Sequence, residues 1–392
     1  MTRYEYLRPF AQTPAQNRVL DAALRCDFMQ DVGPYLGIAH RTAEITMARM
    51  RNKAALQGVS PDNDMTHEVP APFTVKGTST LYNKDGEVSA QWVKTQVNEN
   101  EKLQLIQSAI FDSMADYKGV YKPRKAPKTD NEDLLSCYVM GDPHIGAYAY
   151  AAQSGESFDL KIAREDLLTA TSKLVRVAPK SNRALIANLG DFFHADNQKN
   201  TTTRGTFVDV AGVWQEVLQA GCTLMVDLIN LALTKHPQVT VVNCIGNHDD
   251  HSSVMLSAFL GAYYRDEPRV EILPTANKFN YIQHGRVAIG FTHGDTVKLN
   301  TLSEIMATDK PDLWAATDHR YWFTGHIHHT TKQELRGSVV ESFRTLASRD
   351  AWHTNSGYRS GRDMFCIVHD KQFGEVERYR CDIRRARNAQ AN

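Results

Sequence analysis

Five short apolar runs in this chain end the same way, on a glycine next to histidine or a carboxylate. They are "VMGDPHIG", "LGDFFHADN", "IGNHDD", "FTHGD" and "FTGHIHH", spread over nearly half of the 392 residues. Short apolar runs bounded by turn residues read as buried strands. The first three have helical stretches between them, the clearest predicted over residues 207–235. That alternation points to an α/β fold. Functional groups of such folds gather at the carboxyl ends of the strands, so five separate loops can meet in one crevice. Crowded imidazoles and carboxylates gain little from burial unless something pairs with them.

The five blocks supply Asp142 and His144; Asp191, His194 and Asp196; Asn247, His248 and Asp249; His293; and His326 and His328. Carboxylates, imidazoles and an amide oxygen without a thiolate suit borderline-hard divalent ions such as Mn²⁺, Fe²⁺ or Zn²⁺ rather than a structural zinc knot. The D-x-H and G-H-x-H spacings are expected to put two ligands on one side of an extended segment. The glycines are expected to let side chains reach the ions without a Cβ clash. His236 and His284 stand apart from these blocks and are expected to be surface residues without a role.

In this order the blocks resemble the calcineurin-like metallophosphoesterase superfamily, whose signature D-x-H … G-D … G-N-H-[DE] … G-H or H-G … G-H-x-H is matched at each step. The resemblance implies an αββα sandwich of two mixed sheets with helices outside. It also implies two divalent metal ions, Mn²⁺ first, with Fe²⁺, Zn²⁺ or Ni²⁺ as the other candidates. Carried over by residue, Asp142, His144, Asp191 and His328 hold one ion, and Asp191 bridges to a second held by Asn247, His293 and His326. His248 is then a catalytic histidine that is not a ligand, with Asp249 beside it as its orienter.

Within the superfamily, "GDFFH" lacks the arginine of the protein phosphatase motif G-D-x-V-D-R-G. It looks more like the G-D-[LF]-F-[HD] of the SbcD-type DNA repair exonucleases, where the histidine matching His194 lies near the substrate phosphate. The implied activity is a phosphodiesterase acting on DNA. The alternatives are a phosphomonoesterase on a nucleotide or phosphoprotein, and a DNA-binding regulator with a scaffold phosphoesterase domain.

Three zones precede and include this domain. Residues 1–60 read as helical, and "QDVGPYLGIAHRTAEITMARMRNKAALQG" resembles a helix-turn-helix with Gly37 at the turn. Its candidate recognition helix carries Arg41, Arg49, Arg51 and Lys53, with Ala43, Met47 and Met50 on the apolar face. Basic side chains on such a helix would contact phosphates of duplex DNA. Pro34 departs from the motif unless the first helix starts there. Residues 61–130 hold a linker, a β-hairpin around "NKDG", a helix placing Leu103, Ile106, Ile110 and Met114 at helical spacing, and a basic proline-bearing linker. Residues 131–392 form the phosphoesterase zone, ending in a predicted hairpin, "FCIVHDKQFGEVERYRC". Between the last block and that pattern lie Arg344, Arg349, His353, Tyr358 and Arg359, placed to bind substrate phosphates, arginine being suited to bidentate contact. The whole arrangement resembles a phage or prophage phosphoesterase.

Composition limits the partners. Lys plus Arg equals Asp plus Glu at 45 each, so any nucleic-acid surface must be local. Six scattered cysteines without a C-x-x-C pair suit a reducing compartment. No leader pattern opens the chain and no apolar stretch of membrane-crossing length is expected, so the default is a cytoplasmic protein with DNA as partner. A homo-oligomer or a protein partner stays open.

Overall fold

A computed structural model of the chain describes residues 4–70, 73–97, 119–129, 131–273, 277–349, 354, 357 and 359–391. The helix expected around Leu103, Ile106, Ile110 and Met114 lies outside the described residues, as do His353 and Tyr358. The chain divides into two units, Met1–Lys102 and Leu103–Asn392.

The first unit holds three helices, α1 (Pro14–Ala23), α2 (Met29–Leu36) and α3 (His40–Leu56). Thr13 and Gln16 form a reciprocal capping box at the start of α1. Ala43, Met47, Met50 and Ala54 form one buried stripe of α3, packed with Leu7, Leu20 and Val32. Gly37 ends α2 in the left-handed region at φ 69°. Pro34 lies inside α2 rather than at its start. A short pair, β1 (Val59–Ser60) with β2 (Met65–Thr66), follows. The hairpin β3 (Phe73–Tyr82) and β4 (Val88–Val97) turns on Asn83, whose side-chain oxygen accepts from the amides of Asp85 and Glu87.

The second unit is a four-layer sandwich. One sheet has the order β15 (Gly374–Asp382), β14 (Asp363–Asp370), β5 (Asn131–Met140), β6 (Ser181–Asn188), β7 (Gln238–Asn243), β8 (Val270–Ile272). Its last four members are parallel, and β14 and β15 run antiparallel. The other sheet has the order β12 (Thr331–Leu335), β13 (Ser338–Ser342), β11 (His319–Thr324), β10 (Val287–Thr292), β9 (Asn280–His284). Here β10, β11 and β13 are parallel and the edges antiparallel. Both sheets are thus mixed, and all five strands read from the sequence form.

The period of two along each strand sorts its side chains between layers. Leu135, Cys137 and Val139 of β5 meet Ile289 and Phe291 of β10 and Phe323 of β11 between the sheets. Tyr138 and Met140 point the other way, into a cluster with α4 (Leu160–Val177), α5 (Trp214–Leu233) and α6 (Asp250–Tyr263). Outside the second sheet, Trp322 and Val340 pack with Leu302 and Met306 of α7 (Leu302–Asp309). Among the described residues, α5 is long and apolar enough to cross a membrane by length and composition, against the expectation of no such stretch. Leu224, Met225, Leu228 and Ile229 of this helix are buried in the helix–sheet cluster. All six cysteines are free thiols.

Two sequence expectations fail for identifiable reasons. The helix predicted from residue 207 begins at Trp214. Residues 207 and 210 instead bridge to Thr201 and Ala147, and Gly212 takes φ 96°. His236 is fully buried rather than exposed, its Nε2 2.8 Å from the Tyr138 hydroxyl and its Nδ1 3.0 Å from Ser181 Oγ. His284 is half-buried and donates to the Asp133 carbonyl.

A further histidine, His369 on β14, is fully buried against the rings of Tyr321 and Phe323, and neither ring nitrogen has a hydrogen-bond partner. Burial, with help from the nearby Arg378 and Lys332, pushes this imidazole from its ordinary 6.5 down to about 3. The unfolded chain protonates it near 6.5, so unfolding takes up a proton between the two values. Stability therefore falls as pH drops through that window, by about 2 kcal/mol between pH 7 and pH 5 from this group. His369→Leu is expected to remove that share of the pH dependence and to raise stability at neutral pH. Urea melts of both proteins at pH 7 and pH 5 measure it; parallel losses in the two would sink the assignment.

Candidate metal centre

Three of the five blocks place their candidate ligands at left-handed positions beyond the strand, not in the strand itself. β5 ends at Met140 and β11 at Thr324. Beyond them, Asp142 (φ 42°), His144 (φ 46°), His326 (φ 67°) and His328 (φ 55°) are all left-handed, and so is Asp191 (φ 49°) beyond β6. This corrects the expectation of an extended D-x-H. Alternate residues converge because each is turned inward at a left-handed position. Such positions disfavour most side chains, with Asn, Asp and His tolerated best.

Two glycines show how close the loops come. A Cβ at Gly246 would lie 2.0 Å from Asp191 Oδ1 and 2.2 Å from the Asp191 amide nitrogen. A Cβ at Gly325 would lie 2.7 Å from Asp142 Oδ2. Both glycines are therefore required by approach of a candidate ligand, as the sequence grammar implied.

The side chains form adjoining sets. In Asp142, His144 and His328, ligand atoms lie within 4.8 Å of one another, and the same holds for Asp191, His293 and His326. His144 Nε2 stands 3.1 Å from His328 Nε2. His293 Nε2 stands 3.1 Å from Asp191 Oδ2 and 3.0 Å from Asn247 Oδ1, and its ring is also 3.6 Å from Asp142 Oδ1. Asp142, His144, Asp191 and His293 are buried, so water cannot satisfy this gathering of lone pairs. Six nitrogen and oxygen ligands plus one amide oxygen, converging in this way, fit a pair of divalent cations.

The electrostatics agree. Burial pushes the Asp142 carboxyl up to about 7, with the His293 imidazole pulling against it and the Asp191 charge adding to it. Asp191 lies well below the usual carboxylate range because His293, His248 and His144 outweigh the effect of burial. Burial, and then the neighbouring His248, His194 and His328, drive His144 far below the ordinary histidine value. His293 moves the other way: burial would lower it, but the Asp191 and Asp142 carboxylates hold it up at about 10, so the two buried carboxylates draw positive charge to their side while His144 stays a neutral donor.

The surrounding groups hold the loops. The His248 ring nitrogen Nδ1 donates to the His194 carbonyl at 2.8 Å, leaving Nε2 4.0 Å from Asp191 Oδ2. Asp249 does not orient that ring as expected. Its carboxylate accepts from the amides of Phe193 and Gly246, at 3.0 and 3.2 Å, and ties two ligand loops together. His194 comes to the centre, with Nδ1 3.1 Å from His144 Nδ1 and its ring stacked on His248. Thr345, which no motif marked, donates to the Asp142 carbonyl at 2.5 Å.

The remaining candidates separate. Arg349 lines a small pocket with His144, His194 and His328. Arg344 is paired with Asp363 at 2.9 Å, and Arg359 donates to the Thr354 carbonyl. In the first unit, Arg41, Arg49 and Arg51 of α3 are exposed, while Lys53 bonds Gln12. A cleft of about 680 Å³ opens over the centre, lined by Asp191, Asn247, His248 and His326 together with Arg204 and Phe207.

Comparison with known proteins places this geometry. The family model for calcineurin-like phosphoesterases matches residues 135–355. No curated protein matches the chain. Among solved structures, similar chains include Vps29 of Entamoeba histolytica complexed with Zn²⁺, at 13% identity and TM-score 0.27, covering 63% of this chain and 99% of that one. A conserved uncharacterized protein of Streptococcus pneumoniae, described as a predicted phosphoesterase, has 9% identity and TM-score 0.25, covering 63% and 98%. A novel archaeal phosphodiesterase has 12% identity and TM-score 0.31, covering 63% and 99%. With five ligand loops around one buried cluster and more than half of its length matched, the chain belongs to the calcineurin-like phosphoesterase family, hydrolases of phosphoester bonds built on a dimetal centre.

Proposed function

We propose that this phosphoesterase is a phosphodiesterase whose substrate is DNA, a nuclease of SbcD-like character. The observation that carries this reading is His194. An imidazole against His144 and His248 occupies the site's interior, in a motif without the phosphatase arginine. A phosphomonoester dianion calls for a fixed bidentate guanidinium. A diester carries one charge fewer and continues on both sides of the phosphorus, which an open cleft of about 680 Å³ accommodates.

In this reading Asp142, His144, Asp191 and His328 would hold one ion, and Asp191, Asn247, His293 and His326 a second. Mn²⁺ is the proposed metal, a choice that the nitrogen and oxygen donor set supports. When bound, the pair supplies Lewis-acid polarisation of the phosphoryl group and a hydroxide at neutral pH. The protein does the rest. The His194 carbonyl fixes the His248 ring, so Nε2 faces the cleft and can pass a proton to the leaving oxygen. Asp249 holds the loops in register. Arg349 is placed to contact a non-bridging oxygen beside the centre.

The first unit is proposed to bind duplex DNA through α3, a helix-turn-helix reading supported by the tight turn at Gly37 and the exposed Arg41, Arg49 and Arg51. A Cβ at Gly33 would lie 2.8 Å from the His40 backbone, so α2 and α3 meet closely there.

The test compares linear and single-stranded DNA with p-nitrophenyl phosphate and its bis ester, in Mn²⁺ and in EDTA. DNA cleavage that needs metal is the expected result. Turnover of the monoester alone would instead favour a phosphatase, and DNA binding without any turnover a regulator. Replacing Arg41, Arg49 and Arg51 together with alanine is expected to weaken duplex binding uniformly across sequences. It should also lower the salt-dependence slope by about 1 per charge removed. Bis-ester turnover should persist, and an unaltered slope would remove α3 from the interface.

A further inference from the structure

We propose that Phe207 is a base-stacking platform at the mouth of the metal cleft, so that the substrate presents a nucleobase beside the scissile phosphodiester. This rests on the phosphodiesterase reading and specifies the substrate class. Phe207 lines the cleft that holds His194, His248 and His326, yet it is 80% exposed. A ring so exposed contributes little to the core. It is nonetheless held in place, since residues 200–208 form a tight hairpin closed by Val208 N to the Asn200 carbonyl (2.9 Å) and Thr202 N to the Thr206 carbonyl (2.8 Å).

Two anchors fix that hairpin over the site. Thr203 Oγ1 donates to the buried Asp196 carboxylate at 2.7 Å and accepts from the Asp250 amide at 3.0 Å. Asp196 also accepts from the His251 ring and the Ser252 amide at the start of α6. At the tip, Arg204 reaches Asp295, in the loop after β10, at 3.0 Å. The backbone that carries Phe207 is thus fixed over the site, and binding need order only the two torsions of its ring. A flat apolar face next to a cationic side chain and a phosphoester centre matches what single-stranded nucleic acid offers, a base plane beside its phosphate. A sugar phosphate without a base has no such plane.

The experiment uses the full chain with Mn²⁺ and two diesters sharing one leaving group, thymidine 5′-(p-nitrophenyl phosphate) and methyl p-nitrophenyl phosphate. The wild type is expected to favour the nucleoside ester in kcat/KM by about tenfold, the size of one base stacked on an aromatic ring. Phe207→Ala should bring that ratio to about one, and Phe207→Trp should keep it. If Phe207→Ala leaves the ratio where it was, the platform is overturned while the phosphodiesterase reading stands. If the wild type turns over neither diester, the phosphodiesterase reading fails instead. Calorimetry with thymidine 5′-monophosphate and 2-deoxyribose 5-phosphate then decides the platform by itself. An affinity for the nucleotide that drops about tenfold in Phe207→Ala, with the sugar phosphate unaffected, supports it. Equal affinities in wild type and variant overturn it.

Discussion

Replacing Asp191 with alanine is expected to lower phosphoester turnover at least about 10³-fold in kcat, with asparagine nearly as damaging. The carboxylate stands where the loops converge, with one oxygen accepting from the His248 amide at 2.9 Å and the other 3.1 Å from His293 Nε2. Asparagine separates charge from fold. It tolerates the left-handed backbone at φ 49° and can still accept from His248, but it cannot offer a charged bridge. Alanine adds strain of order 1 kcal/mol at that backbone position. Metal analysis should find two ions per chain in the wild type and at most one in either variant. Thermal melts should leave the Asn protein close to wild type without added metal. An Asn protein with full metal content and kcat within tenfold of wild type would falsify the bridging assignment.

Gly246→Ala is expected to be the most destabilising single-methyl change in the second unit. The added Cβ would sit 2.0 Å from Asp191 Oδ1 and 2.2 Å from the Asp191 backbone nitrogen, and the backbone cannot swing aside as a flexible side chain would. Gly246 does not occupy the left-handed region, so the cost is steric rather than conformational. Relief requires either the "GNHD" turn or the "GD" turn to shift, and Asp249 binds the two together. A loss of more than about 4 kcal/mol is expected, seen as a melting point lower by on the order of 10 °C, with hydrolysis lost as well. Gly205→Ala is the control, because Gly205 has φ 87° with nothing within 4 Å of its Cβ position. It should lose only about 1 kcal/mol of backbone strain. Equal losses in the two variants would mean that the close approach at Gly246 is not what holds the loops.

The strands, and the loops that bring the candidate ligands together, were legible because both follow from local patterning. A buried strand writes itself as a short apolar run, and a glycine marks where the next loop must pass close by. Orientation was not legible. The D-x-H and G-H-x-H pairs converge through left-handed turns, whereas the alternation argument assumed extended backbone. The start of α5 was misplaced because Phe207, Val208, Val210 and Val213 mimic a helical spacing, while the pairing partners that claim that segment lie at Thr201 and Ala147. His236 read as a surface residue because the groups that make its burial tolerable, Tyr138 and Ser181, come from strands far away in sequence. The work of Asp249 was misassigned for a similar reason. Its neighbour His248 is adjacent in the chain, but the amide that it actually serves, at Phe193, comes from another loop. The role given to Phe207 had no signal beyond an aromatic in a polar loop.

The five left-handed candidate ligands set a limit on redesign. Aspartate and histidine are used here twice over, for their lone pairs and because they are among the few non-glycine residues that this backbone accepts. Cysteine coordinates zinc at least as well but has no such tolerance. A thiolate version of the centre would therefore be refused by main-chain torsion before any question of affinity arose. The choice of aspartate and histidine at these five positions is written into the main chain as much as into donor chemistry.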